Sequence, residues 1–194
     1  MHAMKMILPC FSAALPSLTS CPNTAVNLRI LLLSLAVPAA VPSAIVVDPG
    51  VVRVALGTSS VQIPVSITGG DALTDFAGLV EVGNPPSAGP LITAVSYTGS
   101  IWENAAGGYL SFFTGSPPAA TIGPNISLNA AGQSVAGSGV LLTLTVTIAG
   151  LPAGDYPVRF IHTAGGDSVL ANGASIVPAS FGQGIIRILD DAIL

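Results

Sequence analysis

Two stretches of the chain alternate between apolar and polar side chains. In Val61-Gln62-Ile63-Pro64-Val65-Ser66-Ile67-Thr68 the odd positions are apolar, and in Leu142-Thr143-Leu144-Thr145-Val146-Thr147-Ile148 the even ones are. Successive side chains of a β-strand point to opposite faces, so this period marks strands with one face buried and one wet. Val, Ile and Thr also suit a pleated surface. Pro64 lacks a backbone donor, which predicts an edge position or a bulge there. Further strands are expected over Val51–Leu56, Phe76–Val82, Leu91–Tyr97, Tyr109–Thr114, Tyr156–His162 and Ile185–Leu189. Turn signals separate them, among them Thr68-Gly69-Gly70-Asp71, Gly83-Asn84-Pro85-Pro86 and Leu151-Pro152-Ala153-Gly154-Asp155. The stretch Ser116–Gln133, rich in Pro, Gly, Ala and Asn, reads as a long loop or irregular edge. About eight or nine antiparallel strands predict an all-β fold, an antiparallel β-sandwich with jelly-roll topology.

The first 44 residues follow a different pattern. Arg29 is followed by the apolar run Ile30–Val37 and then by Pro, Ala and Ser, the build of a secretory signal peptide. Pro38 and Pro42 leave that run short and interrupted for a spanning helix. A buried strand or an N-terminal anchor is the alternative reading. Residues 1–44 are therefore expected to be a leader and 45–194 the sandwich. Leu18-Thr19-Ser20-Cys21 also resembles a lipobox, which makes a lipid anchor at Cys21 a second expectation. Both cysteines, Cys10 and Cys21, lie in this leader. The domain is thus expected to stand on its core without disulfides.

Composition narrows the function classes. The 194 residues are 51% hydrophobic and only 7% charged, against roughly 25% charged in ordinary globular domains. Disorder would need the opposite balance. From Ile45 onward three arginines face nine acids, a net charge of −6. Three cations make no footprint for a phosphate backbone, so no nucleic-acid partner is expected. The absence of Lys after Lys5 removes Schiff-base chemistry from the domain.

Catalytic constellations are missing as well. The nearest approach to G-x-S-x-G is Gly132-Gln133-Ser134-Val135-Ala136, which fails at its last position. His162 is the single imidazole outside the leader, with only Asp167 near it in sequence, too few ligands for a metal. Asp71 and Asp75 straddle a turn but lack the alternating acids of a calcium loop. Nothing selects a carboxylate pair for glycoside chemistry. A non-enzymatic protein is expected, without cofactor or metal. One Trp with two Tyr in sequence reach, Trp102 with Tyr97 and Tyr109, offers a minimal platform for stacking sugar rings. The alternative is core packing of Trp102.

The order of segments resembles a cohesin-type domain, the receptor module of cellulosomes. The resemblance rests on the pair Val51–Leu56 and Val61–Thr68, whose second strand has the V-x-I-P-V form. It rests also on Asp75–Val82 with Leu91–Gly99, on Gly137–Val146, and on Gly154-Asp155-Tyr156-Pro157-Val158-Arg159-Phe160 with Asn172-Gly173 and a terminal strand ending near Leu189. Two departures stand out. An aromatic-x-aromatic pair is reduced to Phe76 and Gly78, and an Asp-Pro turn is replaced by Gly83-Asn84-Pro85-Pro86.

The resemblance implies a non-catalytic binding or scaffolding module, secreted or at the cell surface, whose partner is a dockerin-like protein. It implies docking on one flat sheet face built from Phe76–Val82, Trp102–Asn104, Tyr109–Thr114 and Tyr156–His162. With Phe76, Val80 and Val82 inward, Leu79 and Glu81 point out. With Leu110 and Phe112 inward, Tyr109, Ser111 and Phe113 point out, and Arg159 does so if Val158 and Phe160 are buried. The expected partner-binding face is Leu79, Glu81, Tyr109, Phe113 and Arg159, and a one-residue slip would send a whole set into the core. Polysaccharide binding through Trp102 and Tyr97 is one alternative. A surface-layer or assembly protein, its edge strands bare of charge, is the other.

Overall fold

The computed structural model describes residues 45–85, 88–161, 168–173 and 175–190. The leader, Cys21, His162 and Asp167 lie outside them, as does the side chain of Asp71. Fourteen strands are described: β1 (Ile45–Asp48), β2 (Val51–Ala55), β3 (Ser60–Leu73), β4 (Asp75–Ala77), β5 (Val80–Val82), β6 (Leu91–Ser96), β7 (Tyr109–Thr114), β8 (Thr121–Leu128), β9 (Val135–Thr147), β10 (Gly154–Phe160), β11 (Val169–Asn172), β12 (Ser175–Val177), β13 (Ala179–Phe181) and β14 (Gln183–Leu189).

The two alternating stretches pair with each other. Ile63 lies opposite Leu144 and Val65 opposite Leu142, all four fully buried, while Gln62 and Pro64 stay exposed. The β3–β9 ladder is the centre of a five-stranded sheet in the order β13-β1-β3-β9-β6. Pro64 keeps its predicted place, because β1 pairs only with Ser66–Thr68 and the register shifts between Val65 and Ser66. Its missing donor falls where β1 no longer reaches.

The larger sheet runs β12-β11-β4-β8-β5-β10-β14-β2, with β7 added on β8. Here β4 and β5 are one chain pass broken at Gly78-Leu79, and both pair with β8. A Cβ at Gly78 would lie 2.5 Å from Cζ of the buried Phe76 ring. That ring already fills the space into which a second aromatic would point. The sheets close over a core of Val, Ile and Leu with Phe76, Phe160 and Trp102. Burial of this apolar surface, at roughly 25 cal/mol per Å² removed from water, is the main favourable term.

Two expectations are corrected. Residues 121–128, read as loop, form β8, flanked by β7 on one side and by β4 and β5 on the other, with Ile122 and Ile126 buried. Pro124 disguised it, since a proline argues against an interior strand. Here Pro124 stands beside the Gly78-Leu79 break, its carbonyl accepting from Gly78 N–H at 2.9 Å, so its missing donor interrupts no continuous ladder. The second correction is that the sandwich is not wholly antiparallel: β1 pairs β13 in parallel and β2 pairs β14 in parallel.

Those parallel pairs arise from two crossings made side by side. Asp48-Pro49-Gly50 carries the chain from the small sheet to the large one, with Gly50 N–H donating to Asp48 Oδ1. Phe181-Gly182-Gln183 makes the same passage, with Gly182 N–H donating to the Val47 carbonyl at 2.7 Å. The strands approach so closely that a Cβ at Gly184 would lie 2.6 Å from the Gly50 oxygen.

Candidate functional site

The strand pairings fix which side chains share the outer face of the larger sheet, because directly opposed residues of paired strands lie on one face. One row runs Ile176, Ala171, Asp75, Ser127, Leu110 from β12 to β7. The next runs Val169, Ala77, Asn125, Phe112. Ile176, Leu110 and Phe112 are 71%, 64% and 58% exposed, the largest values among the exposed apolar side chains. These large side chains stay open to solvent although the domain has a well-filled core.

A polar centre interrupts the apolar rows. The Asp75 carboxylate accepts from the Thr74 hydroxyl at 2.5 Å and from the Ser127 hydroxyl. The Thr74 backbone N–H donates to the Ala171 carbonyl at 2.9 Å, and its hydroxyl oxygen accepts from Gly173 N–H. These contacts tie β4, β8 and β11 together under the rows, so the apolar side chains stand on a fixed base.

The other half of the face carries two ion pairs. Arg159 lies opposite Glu81 in the β10–β5 ladder and meets it at 2.5 Å, with a hydrogen bond from Nε at 2.8 Å. Arg187 lies opposite Asp155 and donates two bonds of 2.7 Å to its carboxylate. Those hydrogen bonds hold the Asp155 carboxyl below its usual range. Leu79 sits between the halves, half-buried, with its N–H donating to Ser168 Oγ.

The structure therefore places Leu79, Glu81 and Arg159 on the expected face and moves Tyr109 and Phe113 off it. Ser111 lies opposite the buried Ile126, so Tyr109, Ser111 and Phe113 turn toward the inner side and Leu110 and Phe112 turn out. Tyr109 stacks edge-on against Tyr97 with ring centroids 5.9 Å apart. The β7 register is thus one residue away from the expected one. The sequence signal lay in the strand itself: Tyr109-Leu110-Ser111-Phe112-Phe113 is apolar on both faces, so either assignment satisfied the core. Ile176 carried no comparable signal, since Ile176-Val177 before Pro178 is too short to show an alternation.

The sugar platform is overturned. Trp102 is fully buried, and its indole Nε1–H donates to the Leu141 carbonyl at 3.1 Å. Tyr97 is 5% exposed and donates its hydroxyl to the Asn125 carbonyl. Burial, with Tyr109 nearby, pushes that hydroxyl well above the ordinary tyrosine value. Neither ring offers a face to a pyranose. Trp102 also leaves the expected flat face, because Ile101–Asn104 is a 3-10 turn beside β9 of the smaller sheet.

Among the described residues no three His, Cys, Asp or Glu side chains gather as metal ligands would. A cleft of about 280 Å³ between Leu170, Val177 and Phe181 is lined without acids or bases. Ser134 borders a second cleft of about 220 Å³ with Ile101 and Asn104, again without a base in its lining. No described helix is long and apolar enough to cross a membrane.

Comparison with known proteins gives the fold. No protein-family model matches the chain, and no curated protein does. Solved cohesin modules do match in structure. The sixth cohesin of scaffoldin B from Acetivibrio cellulolyticus, solved with a dockerin, is 15% identical, covers 76% of this chain and 100% of its own, and has a TM-score of 0.61. A non-cellulosomal cohesin from the archaeon Archaeoglobus fulgidus is 16% identical over 76% of this chain and 92% of its own, at 0.57. A cohesin from Clostridium acetobutylicum is 15% identical over the same shares, at 0.59. The domain has the cohesin fold.

Proposed function

We propose that this chain is an exported, non-catalytic attachment module that captures a protein partner, of the dockerin kind, on the outer face of its larger sheet. The observation that carries this reading is the exposure of Leu110, Phe112 and Ile176 on one sheet face, around the hydrogen-bonded Asp75 network. Solvent-exposed apolar side chains around a hydrogen-bonded polar anchor, with paired charges as a rim, make a surface that a protein partner can cover. Glu81, Arg159, Asp155 and Arg187 form that rim, and Leu79 joins it to the centre. The cohesin fold supports the reading, since the Acetivibrio module of the same fold was solved with a dockerin. Export rests on the apolar run Ile30–Val37 after Arg29, read as a signal peptide.

Titration calorimetry of the full chain against a panel of purified dockerin modules tests the proposal. Saturable one-to-one binding that is lost in Phe112→Asp and Leu79→Asp, both with wild-type melting curves, is the expected result. Binding unchanged in both variants, or absent across the panel, would overturn it.

A further inference from the structure

Strand β7 is the open edge of the larger sheet. It pairs with β8, and among the described residues no strand pairs with its other side. Natural edges are guarded by charge, proline or bulges. Tyr109–Thr114 has none of these, and no residue from Ala105 to Gly154 is charged. At the far edge β2 carries an exposed Arg53.

The backbone groups on the open side can be identified. Asn129 N–H donates to the Gly108 carbonyl, so Gly108 and Asn129 are a hydrogen-bonded pair of the β7–β8 ladder. Such pairs alternate along an antiparallel ladder. Leu110, Phe112 and Thr114 therefore aim their N–H and C=O groups at β8. Tyr109, Ser111 and Phe113 aim theirs outward, with no strand to receive them.

We propose that two copies of this chain join through β7, antiparallel, about a two-fold axis at Ser111. Ser111 then lies opposite Ser111 of the second copy, and Tyr109 opposite its Phe113. Each opposed pair exchanges two backbone hydrogen bonds, which uses every free group on the edge. On the outer face Leu110 comes to lie opposite Phe112 of the second copy, twice over by symmetry. On the inner side Tyr109 meets Phe113, again twice. The segment is self-complementary in this one register: each large apolar side chain finds another, and the small Ser111 sits on the axis, as an isologous contact requires. The absence of charge means that the second copy brings no like-charge repulsion to the contact. Pro117 and Pro118, just past the strand, end the ladder and keep the pairing to a single finite edge.

The decisive experiment combines sedimentation velocity over a concentration series with amide hydrogen exchange on the full chain. The expected result is a monomer–dimer equilibrium in which the Tyr109, Ser111 and Phe113 amides gain protection as concentration rises. The Leu110, Phe112 and Thr114 amides, held by β8, are protected throughout. Ser111→Pro removes an edge donor and is expected to abolish the dimer. Ser111→Lys, which places like charges on the axis but keeps the backbone donor, is the second variant should the proline hinder folding. A monomer at every concentration would overturn the proposal. So would a dimer whose three edge amides exchange freely, or edge amides protected only when another protein is added. Both Ser111 substitutions leave the outer-face side chains intact, so failure here and failure of partner capture are separate results.

Discussion

Strands β9 and β7 are made of similar material. Both are rich in residues that favour a pleated backbone, and neither carries a charge. In β9 the alternation separates Leu142, Leu144 and Val146 from Thr143, Thr145 and Thr147, and the apolar set is the buried one. In β7 both sets are apolar, and both remain partly open to solvent. A strand with one apolar face spends it on the core. A strand with two must offer one to something else, and β7 offers Leu110 and Phe112 on one side and a bare backbone edge beside them.

That contrast breaks most sharply at the core. Trp102→Ala removes a fully buried ring and its bond to the Leu141 carbonyl, and a loss of roughly 3–5 kcal/mol in urea unfolding is expected. Leu144→Ala, in β9, should cost about 2–5 kcal/mol. Phe112→Ser should move stability by no more than ~0.5 kcal/mol while removing partner capture in the same calorimetric assay. A Phe112→Ser loss as large as that of Leu144→Ala would place β7 in the core and end the comparison.

Two pH experiments refine it at smaller amplitude. Tyr97 keeps its proton in the fold above its ordinary value of 10.0, because burial disfavours the phenolate. The unfolded chain releases that proton first, so stability is full below pH 10 and falls as pH rises beyond it. Tyr97→Phe should flatten the alkaline limb of a stability–pH curve. Asp155 works in the other direction and more weakly. Its carboxyl is held low by Arg187, so its contribution stands at neutral pH and fades as pH falls through the folded value. Asp155→Asn should flatten the acid limb slightly, a change near the limit of a denaturant titration for so exposed a pair.

The parts of the fold that were legible in the sequence are those where a polar set marks the wet face. Val61–Thr68 and Leu142–Ile148 declared their orientation, as did Val80-Glu81-Val82 and Val158-Arg159-Phe160, which put Glu81 and Arg159 outside. The β7 register was hidden because Tyr109, Leu110, Phe112 and Phe113 satisfy the core equally well in either phase. Strand β8 was hidden by Pro124, whose tolerance depends on a break in the neighbouring strand nearly fifty residues earlier in the chain, at Gly78-Leu79. Trp102 was ambiguous for a chemical reason: an indole needs one acceptor wherever it lies, and only the fold supplies the Leu141 carbonyl. Local pattern reports which face is wet, and it is silent on partners supplied from afar.

The paired crossings at Gly50 and Gly182 bear on the timing of folding. Strand β1 waits for β13 and β2 waits for β14, so neither sheet is complete until residues near Leu189 have been made. Contacts of such sequence separation close slowly, since the intervening chain must be ordered first. A polypeptide emerging from its N-terminus can pair β1 with β3 early, but β2 and the second side of β1 wait until residues 179–189 have been made. Two late strands are the bolts, β13 closing on β1 and β14 on β2, and both sheets are finished together.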